Sequence, residues 1–416
     1  MAVVRPFKGI RPKMELVEKV ASLPYDVMNR EEAKEMAKGN ELSFLHVVRS
    51  EIDLDESIDS HDEIVYKTAR KNLDKFIDDG ILVQDETPKF YIYRQLMNGR
   101  VQTGLVGCTS IDDYMNDIIK KHEFTRPEKE VDRINNFDNT DANTAPIFLT
   151  YRKNDEVNKI INDWIKFHMP VYNFTSEDDF THIIWTIDNE SIIDELNKLF
   201  ETIEYLYIAD GHHRSASSVK VGEKRRKANP EYTGEEEFNY FMSVIFPDED
   251  LFIMDYNRVV KDLNGHSVDE FFKLVEEKFE IAEYTGEGQY KPMEKKTFGM
   301  HIDNKWYELK AKEGIFDSND IIDRLDVSIL QNNLLNPILG IDDPRTNKRI
   351  DFIGGIRGLL ELERRCSVDM KVAFSMYPTT MDDLLSVADA GTVMPPKSTW
   401  FEPKLRSGLF VHRLND

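Results

Sequence analysis

Five consecutive residues carry the densest chemistry in the chain: Asp210-Gly211-His212-His213-Arg214. An apolar run precedes them at 205–209, and a helix-forming stretch follows at 215–220. The pattern predicts a strand, a sharp turn and a helix. Because the first N–H groups of a helix have no partner within the helix, such a turn binds anions, phosphate above all. An acid, two imidazoles and a guanidinium at one turn therefore predict a catalytic centre.

Simpler interpretations of this turn stay open. Asp210 is of a residue type that caps helices, and the residues after it would then be solvated polar side chains. Adjacent histidines do not share a helix face, and no His-Glu-x-x-His signature occurs, so a zinc site is disfavoured. A metal-dependent phosphoester hydrolase that uses Asp210, His212 and His213 is a further alternative.

Two other segments contain candidate site residues. Between residues 120 and 133 both charge signs mix, so Lys120 and Arg126 are predicted to neutralise phosphates, with Glu123 as a general base. The alternative is a surface loop that leads into a solvated helix. Near the C-terminus, a proline-stiffened loop offers a cation and two hydroxyls to an anion or zwitterion, in Lys397, Ser398 and Thr399. The alternative interpretation of this loop is a rigid docking segment that packs Trp400 and Phe401 into a core.

Composition narrows the class of protein. A net charge of −23 over 416 residues argues against a general nucleic-acid or anionic-membrane surface. The two cysteines, Cys108 and Cys366, are too few for a disulfide framework or a cysteine zinc site. We expect no cleavable signal after Met1 and no membrane span, since no apolar run approaches the roughly 20 residues that a span needs. The expected location is the cytoplasm.

The alternation of strand and helix patterns predicts a mixed α/β fold. Three regions are expected, at 1–110, 111–260 and 261–416. Predicted helices are one capped by Asn29, then 63–79, 157–167, 191–200, 268–279 and 326–335, and predicted strands include 41–48, 148–151 and 183–187. Asn98-Gly99 predicts a hairpin between 90–95 and 101–108, and others are expected at 242–254 and 301–309. Strand–helix units follow at 349–362 and 370–390, and the glycines at 354–358 are predicted to form only a tight turn.

The order of three motifs resembles the archaeal free-serine kinases: His122-Glu123, then Asp210 to Arg214, then Pro396-Lys397-Ser398-Thr399. Those enzymes carry Pro-His-Glu, Asp-Gly-His-His-Arg and Pro-Lys-Thr-Thr-Arg-His on a fold shared with ParB and sulfiredoxin. Over its whole length the chain is identified as a member of the bacterial family of domain of unknown function 1015. The marks of that family are Arg5-Pro6-Phe7, Leu23-Pro24-Tyr25-Asp26-Val27, the block from Lys121 to Arg133, Ala209 to Arg214, and Met394 to Lys404.

The resemblance implies a ParB/sulfiredoxin-like central region and a kinase that uses ATP or ADP, with Mg²⁺, to phosphorylate free L-serine or a similar small alcohol. Its catalytic residues would be Glu123 as the base, Asp210 beside the hydroxyl and Mg²⁺, and His212. Gly211, His212, His213 and Arg214 would bind the nucleotide phosphates, and Lys397, Ser398 and Thr399 would bind the amino acid. A non-catalytic nucleotide-binding switch or adaptor of the ParB type is the alternative. A homo-oligomer is possible, and neither nucleic acid nor membrane is an expected partner.

Two departures from the kinase motifs matter. Trp400-Phe401 stands where the kinases have Arg-His, which removes a carboxylate partner, and Lys404 or Arg406 is the candidate substitute. Lys121 replaces the proline before His122. For Tyr25 and Asp26, a role in lining the cleft and a structural turn after Pro24 are both open.

Overall fold

The structure, a computed structural model, describes residues 1–415 and contains two compact units. The first consists of Met1–Leu251 together with the chain from Pro403 onward, and the second is Phe252–Glu402. The prediction of a mixed α/β fold is confirmed. These two units differ from the three regions expected at 1–110, 111–260 and 261–416. Strands from before and after residue 110 are hydrogen-bonded in one sheet, so no boundary lies there.

The strands of the first unit are β1 (Val4–Arg5), β2 (Ile10–Pro12), β3 (Leu82–Gln84), β4 (Phe90–Met97), β5 (Arg100–Ser110), β6 (Ile119–Lys120), β7 (Ala142–Asn143), β8 (Ile147–Tyr151), β9 (Tyr172–Thr175), β10 (Thr181–Ile187), β11 (Leu206–Asp210), β12 (Tyr240–Pro247) and a C-terminal strand, His412–Arg413. Across the described residues, nine of them form one sheet in the order β6-β11-β8-β12-β5-β4-β10-β9, with β1 beside β5. β11 is parallel to β6, and β12 is parallel to β8. The hairpin predicted at Asn98-Gly99 is confirmed, with φ values of 49° and 79° at its two central residues.

The helices of the first unit are α1 (Val17–Val20), α2 (Arg30–Ala37), α3 (Leu45–Val48), α4 (Glu63–Asp78), α5 (Ile111–Met115), α6 (Pro127–Thr140), α7 (Asp155–Phe167), α8 (Glu190–Glu201) and α9 (His212–Ala228). The helix predicted after Asn29 is confirmed, and Asn29 caps it reciprocally with Glu32. The helices predicted at 63–79, 157–167 and 191–200 are confirmed to within two residues at each end.

Two strand predictions in this unit are wrong. The apolar run at 41–48 forms turns and the one-turn helix α3, which packs on α4. A short buried apolar run has no periodicity that separates strand from helix. The hairpin expected at 242–254 loses its second strand, since a 3₁₀ turn at Asp248–Asp250 follows β12.

The core of the first unit surrounds the central strands. Leu149, Leu206, Ile208 and Ile245 belong to one buried cluster that includes residues of β8, β11 and β12. Burial of both faces of β11 fixes that strand within the core, so the residue at its end, Asp210, has a defined position.

The second unit has strands β13 (Tyr256–Val260), β14 (Phe279–Glu283), β15 (Thr297–Ile302), β16 (Lys305–Ala311), β17 (Ile350–Gly354) and β18 (Val372–Met376), and helices α10 (Val268–Lys278), α11 (Asp326–Leu330), α12 (Leu360–Val368) and α13 (Met381–Asp389). The strands form an antiparallel sheet in the order β14-β16-β15-β18-β13-β17. The elements predicted from residue 268 onward are confirmed, with α11 continuing as a π-helical turn, Gln331–Leu335. The turn after β17 is packed tightly: a Cβ on Gly354 would lie 2.8 Å from the ring of Trp400.

Among residues 1–415, no helix combines the length and the apolar composition that crossing a bilayer requires.

Candidate active site

The turn after β11 has the predicted strand, turn and helix. β11 ends at Asp210, Gly211 has a φ of 97°, and α9 begins at His212. A positive φ costs glycine little, so Gly211 allows the sharp change of direction. Gly211 is also the N-cap and gives the first turn of α9 no side-chain acceptor. The alternative of Asp210 as the N-cap is therefore wrong, and the start of α9 is of the kind that binds anions.

Arg214 anchors the carboxylate of Asp210. Its Nη2 donates to Asp210 Oδ2 at 3.0 Å, and its Nη1 donates to the carbonyl of Pro146 at 2.5 Å. The Arg214 side chain is 4% exposed, whereas the Asp210 side chain is 31% exposed. The guanidinium therefore holds the acid from within, while part of the carboxylate stays accessible. Gly211 also leaves room for this contact, since a Cβ there would lie 3.1 Å from Arg214 Nε.

Asp26 is a second carboxylate beside the same guanidinium. Its Oδ2 lies 4.0 Å from Arg214 Nη2, and its side chain is 39% exposed. The neighbouring Tyr25 is buried, and its ring lies 3.9 Å from the guanidinium carbon of Arg133. The turn after Pro24 is thus structural at Tyr25 and contributes a charge to the cluster at Asp26.

Lys404 approaches Asp210 from the C-terminal segment. Its Nζ lies 3.8 Å from Asp210 Oδ1, and its side chain is 13% exposed. Burial opposes ionisation of Asp210, but Lys404 and Arg214 outweigh it and lower the pKa of this carboxyl. Asp210 is therefore a carboxylate at neutral pH. The buried Gln95 positions the segment, because its Nε2 donates to the Lys404 carbonyl at 3.0 Å.

Arg406, the other candidate to replace the missing arginine, has a structural partner instead. Its Nη2 donates to Asp178 Oδ1 at 2.5 Å and to Ser176 Oγ at 3.0 Å. Of the two candidates, Lys404 alone contacts the Asp210 turn within the first unit.

His122 and His212 form a buried imidazole pair next to Asp210. Their Nε2 atoms are 3.4 Å apart, and the rings meet edge to face with centroids 4.4 Å apart. Burial lowers the pKa of His122 to about 4 and that of His212 well below its usual value. Both are neutral at pH 7, and one Nε2 must carry the proton that the other accepts. His122, which the motif included without a role, therefore positions His212.

His213 connects α9 to the start of α6. Its Nε2 accepts the backbone N–H of Arg126 at 3.0 Å. Burial, followed by the charge of Arg126, lowers the pKa of His213. The neutral ring consequently carries its proton on Nδ1.

The predicted site residues of the charged segment at 120–133 lie in different environments. Glu123 is exposed, as is the side chain of Arg126. Lys120 contacts groups outside the turn, with its Nζ 2.7 Å from Asp117 Oδ2 and 4.4 Å from the ring of Tyr205. These contacts give no support to the prediction that Lys120 binds phosphate, which stays a prediction.

The alternative of a solvated helix after residue 126 is wrong. Glu130, Asp132 and Arg133 of α6 are buried. Arg133 donates to Asp132 Oδ2 at 2.7 and 2.9 Å, and Glu130 accepts from Lys220 of α9. The ion pair of Glu130 and Lys220 thus joins α6 to α9, which sequence periodicity did not predict because an ion pair between helices leaves no signal in the apolar spacing.

The loop with Lys397, Ser398 and Thr399 belongs to the second unit. Lys397 is exposed, whereas Ser398 is buried and donates its hydroxyl to the Pro395 carbonyl at 2.6 Å. Phe401 is buried, and the ring of Trp400 meets that of Tyr256 with centroids 5.0 Å apart. The packing alternative therefore holds for Trp400 and Phe401, and substrate binding by residues 397–399 stays a prediction.

Asp210, His212 and His213, the predicted metal ligands, are not arranged around one point where a metal ion could bind. Asp210 pairs with cations, His212 with His122, and His213 with a backbone N–H. Over residues 1–415, no group of three or more His, Cys, Asp or Glu side chains is arranged to hold a metal ion. The three ligands that the hydrolase alternative needs are not brought together.

A family profile described as protein of unknown function (DUF1015) matches residues 4–328. The chain belongs to this family. No curated protein matches the sequence.

Solved structures with a similar chain trace include a free serine kinase in complex with AMP, at 15% identity and a TM-score of 0.36, covering 74% of this chain and 90% of that chain. A free serine kinase variant in complex with ADP is 13% identical, with a TM-score of 0.38 and coverage of 76% and 93%. C-terminally truncated SbnI from Staphylococcus aureus is 11% identical, with a TM-score of 0.38 and coverage of 74% and 87%.

Proposed function

We propose that this protein is a small-molecule kinase with a ParB/sulfiredoxin-like catalytic region. It transfers a phosphoryl group from ATP or ADP to the hydroxyl of free L-serine or a similar small alcohol. The observation that carries the proposal is the partly exposed carboxylate of Asp210, held by Arg214 and Lys404 at a helix start without a side-chain cap. Phosphoryl transfer depends mainly on positioning and on charge stabilisation, and this turn offers both.

The donor set fits a nucleotide with Mg²⁺. Protein sites for this ion often use only one or two carboxylates, with phosphate oxygens and water completing the shell. Asp210 is ionised and accessible, so it would hold the ion, and Mg²⁺ when bound neutralises phosphate charge. The first turn of α9 and Arg214 would receive the phosphates.

Glu123 is the proposed general base. An alcohol is a weak nucleophile at neutral pH, so a carboxylate that accepts its proton accelerates attack. In the transfer, the acceptor oxygen forms a bond to the terminal phosphorus, and the bond between that phosphorus and the bridging oxygen of the nucleotide breaks. The hydroxyl proton goes to Glu123. Products are the phosphorylated alcohol, O-phosphoserine for L-serine, and the nucleotide shortened by one phosphate.

The test is to incubate the full chain with ATP or ADP, Mg²⁺ and a panel of hydroxy compounds that includes L-serine, and to identify products by mass spectrometry. Glu123→Gln is expected to lower turnover at least about 100-fold while nucleotide affinity is retained. Glu128→Gln is the matched control, since Glu128 lies in the same segment with a side chain that is 66% exposed. Equal loss of nucleotide binding and turnover in Glu123→Gln would contradict the role of base. Nucleotide hydrolysis that no acceptor changes would favour the nucleotide-binding switch.

A further inference from the structure

Arg258 on β13 is a buried guanidinium with no carboxylate partner. Four arginines are buried among the described residues: Arg133, Arg214, Arg258 and Arg406. Three of them lie within 3.0 Å of an aspartate oxygen. Within residues 252–402, no Asp or Glu oxygen lies within 4.0 Å of the Arg258 guanidinium, which donates hydrogen bonds to the carbonyls of Tyr256 and Lys397.

A buried charge without an opposite charge beside it lowers the stability of the folded state. Taking a charge out of water is unfavourable unless an opposite charge compensates it. Burial lowers the pKa of Arg258 to about 10, so the group still carries its charge at neutral pH. A chain with 77 acidic residues and a net charge of −23 has many acids to pair with it. An uncompensated charge in such a chain points to an anion supplied from outside.

Hydrogen bonds and aromatic rings hold Arg258 in place. Its Nη2 donates to the Lys397 carbonyl at 3.0 Å, and the ring of Phe352 lies 5.5 Å from its guanidinium carbon. The loop above it is fixed, since Thr379 Oγ1 donates to the Ser398 carbonyl at 2.8 Å. Lys397 itself has a φ of 60°, and its ammonium lies 5.5 Å from the centre of the Tyr256 ring. Arg258, Lys397 and the rings of Tyr256 and Phe352 are therefore linked by contacts within this one unit.

We propose that Arg258 and Lys397 form a binding site for a small carboxylate in the second unit. A guanidinium has five N–H donors in a planar fork that matches the two oxygens of a carboxylate, and the two carbonyls leave three of these donors for a ligand. The amino-acid acceptor of the proposed kinase carries such a carboxylate. That identity rests on the proposed function, whereas the anion site itself does not.

Binding to the full chain tests the site without any turnover. Isothermal titration would compare L-serine with ethanolamine, which has the same hydroxyl and amine but no carboxylate. Wild type is expected to bind L-serine at least about tenfold more tightly, and Arg258→Met to lose that preference, since a charge-assisted pair is worth about that factor. Arg258→Lys keeps the charge but not the fork and is expected to fall between the two. Arg349→Met is the matched control, because Arg349 pairs with Asp262 near the surface of the same unit.

Three results would overturn the assignment. One is an unchanged preference for L-serine in Arg258→Met. Another is an equal loss of L-serine and ethanolamine affinity. The third is a site filled by inorganic phosphate instead, seen as an Arg258-dependent affinity for phosphate with none for L-serine.

Thermal unfolding separates a binding role from a purely structural one. Replacing an uncompensated buried charge by methionine is expected to leave the melting temperature unchanged or to raise it. A lower melting temperature with intact L-serine binding would identify Arg258 as a structural link between β13 and the loop. Absence of phosphotransfer by wild type would reject the proposed function and leave this binding test unaffected.

Discussion

Acid is expected to destabilise the first unit through the buried pair of His122 and His212. Burial lowers the pKa of His122 from 6.5 to about 4, and that of His212 falls well below 6.5. In the unfolded chain both return to about 6.5, so the unfolded state takes up protons first as the pH falls. The stability that the neutral pair contributes is therefore complete above pH 6.5 and is lost as the pH falls toward 4.

The magnitude follows from the pKa of His122. A pKa difference of about 2.5, from 6.5 to about 4, corresponds to about 3.5 kcal/mol at about 1.4 kcal/mol per pKa unit. About 2 kcal/mol of this is lost by pH 5, where the unfolded imidazole is almost fully protonated and the folded one is mostly neutral. His212 adds to the effect in the same direction.

Hydrogen exchange of the β11 amides, corrected for the intrinsic rate, measures the local free energy of unfolding at pH 7.5 and pH 5. Wild type is expected to lose about 2 kcal/mol more over this interval than His122→Gln, which cannot titrate but can still hydrogen-bond to His212. His61→Gln is the control, since the His61 side chain is 58% exposed. Identical pH dependence in wild type and His122→Gln would refute the reasoning.

Two further substitutions test the framework of the site. Gly211→Ala is expected to cost about 1 to 2 kcal/mol and to abolish phosphotransfer, because it combines a positive φ with a Cβ 3.1 Å from Arg214. Gly99→Ala has a φ of 79° but nothing within 4 Å, so it should show the stability loss in thermal unfolding with full activity. If both variants kept activity, the contact between Gly211 and Arg214 would not matter for function. Arg406→Met is expected to lower the unfolding free energy by about 1 to 2 kcal/mol in chemical denaturation, since it removes charge-assisted hydrogen bonds to Asp178, whose side chain is 37% exposed to water; no change would contradict the structural role of that pair.

Local patterns predicted most elements of this fold. The Asn29 cap, the Asn98-Gly99 turn and the apolar spacing at 63–79 each depend on residues close together in the chain. The local sequence is therefore enough to predict these elements. The strand expected at 41–48 failed because a short buried run satisfies either backbone geometry, and packing against α4 decided it.

The sequence by itself determined the Asp210 turn, because a strand end, a glycine able to adopt positive φ and a helix start are adjacent in the chain. Tertiary structure alone decided which charges meet there. Asp26 and Lys404 lie 184 and 194 positions from Asp210 and contact the turn only because the sheet and the returning C-terminal segment bring them to it. The ionisation of Asp210 and the neutrality of His122 and His212 depend on burial and on those distant charges. Local residue spacing predicts neither the burial of a side chain nor its pairing with a residue far along the chain. The pKa shifts of the site therefore required the folded structure.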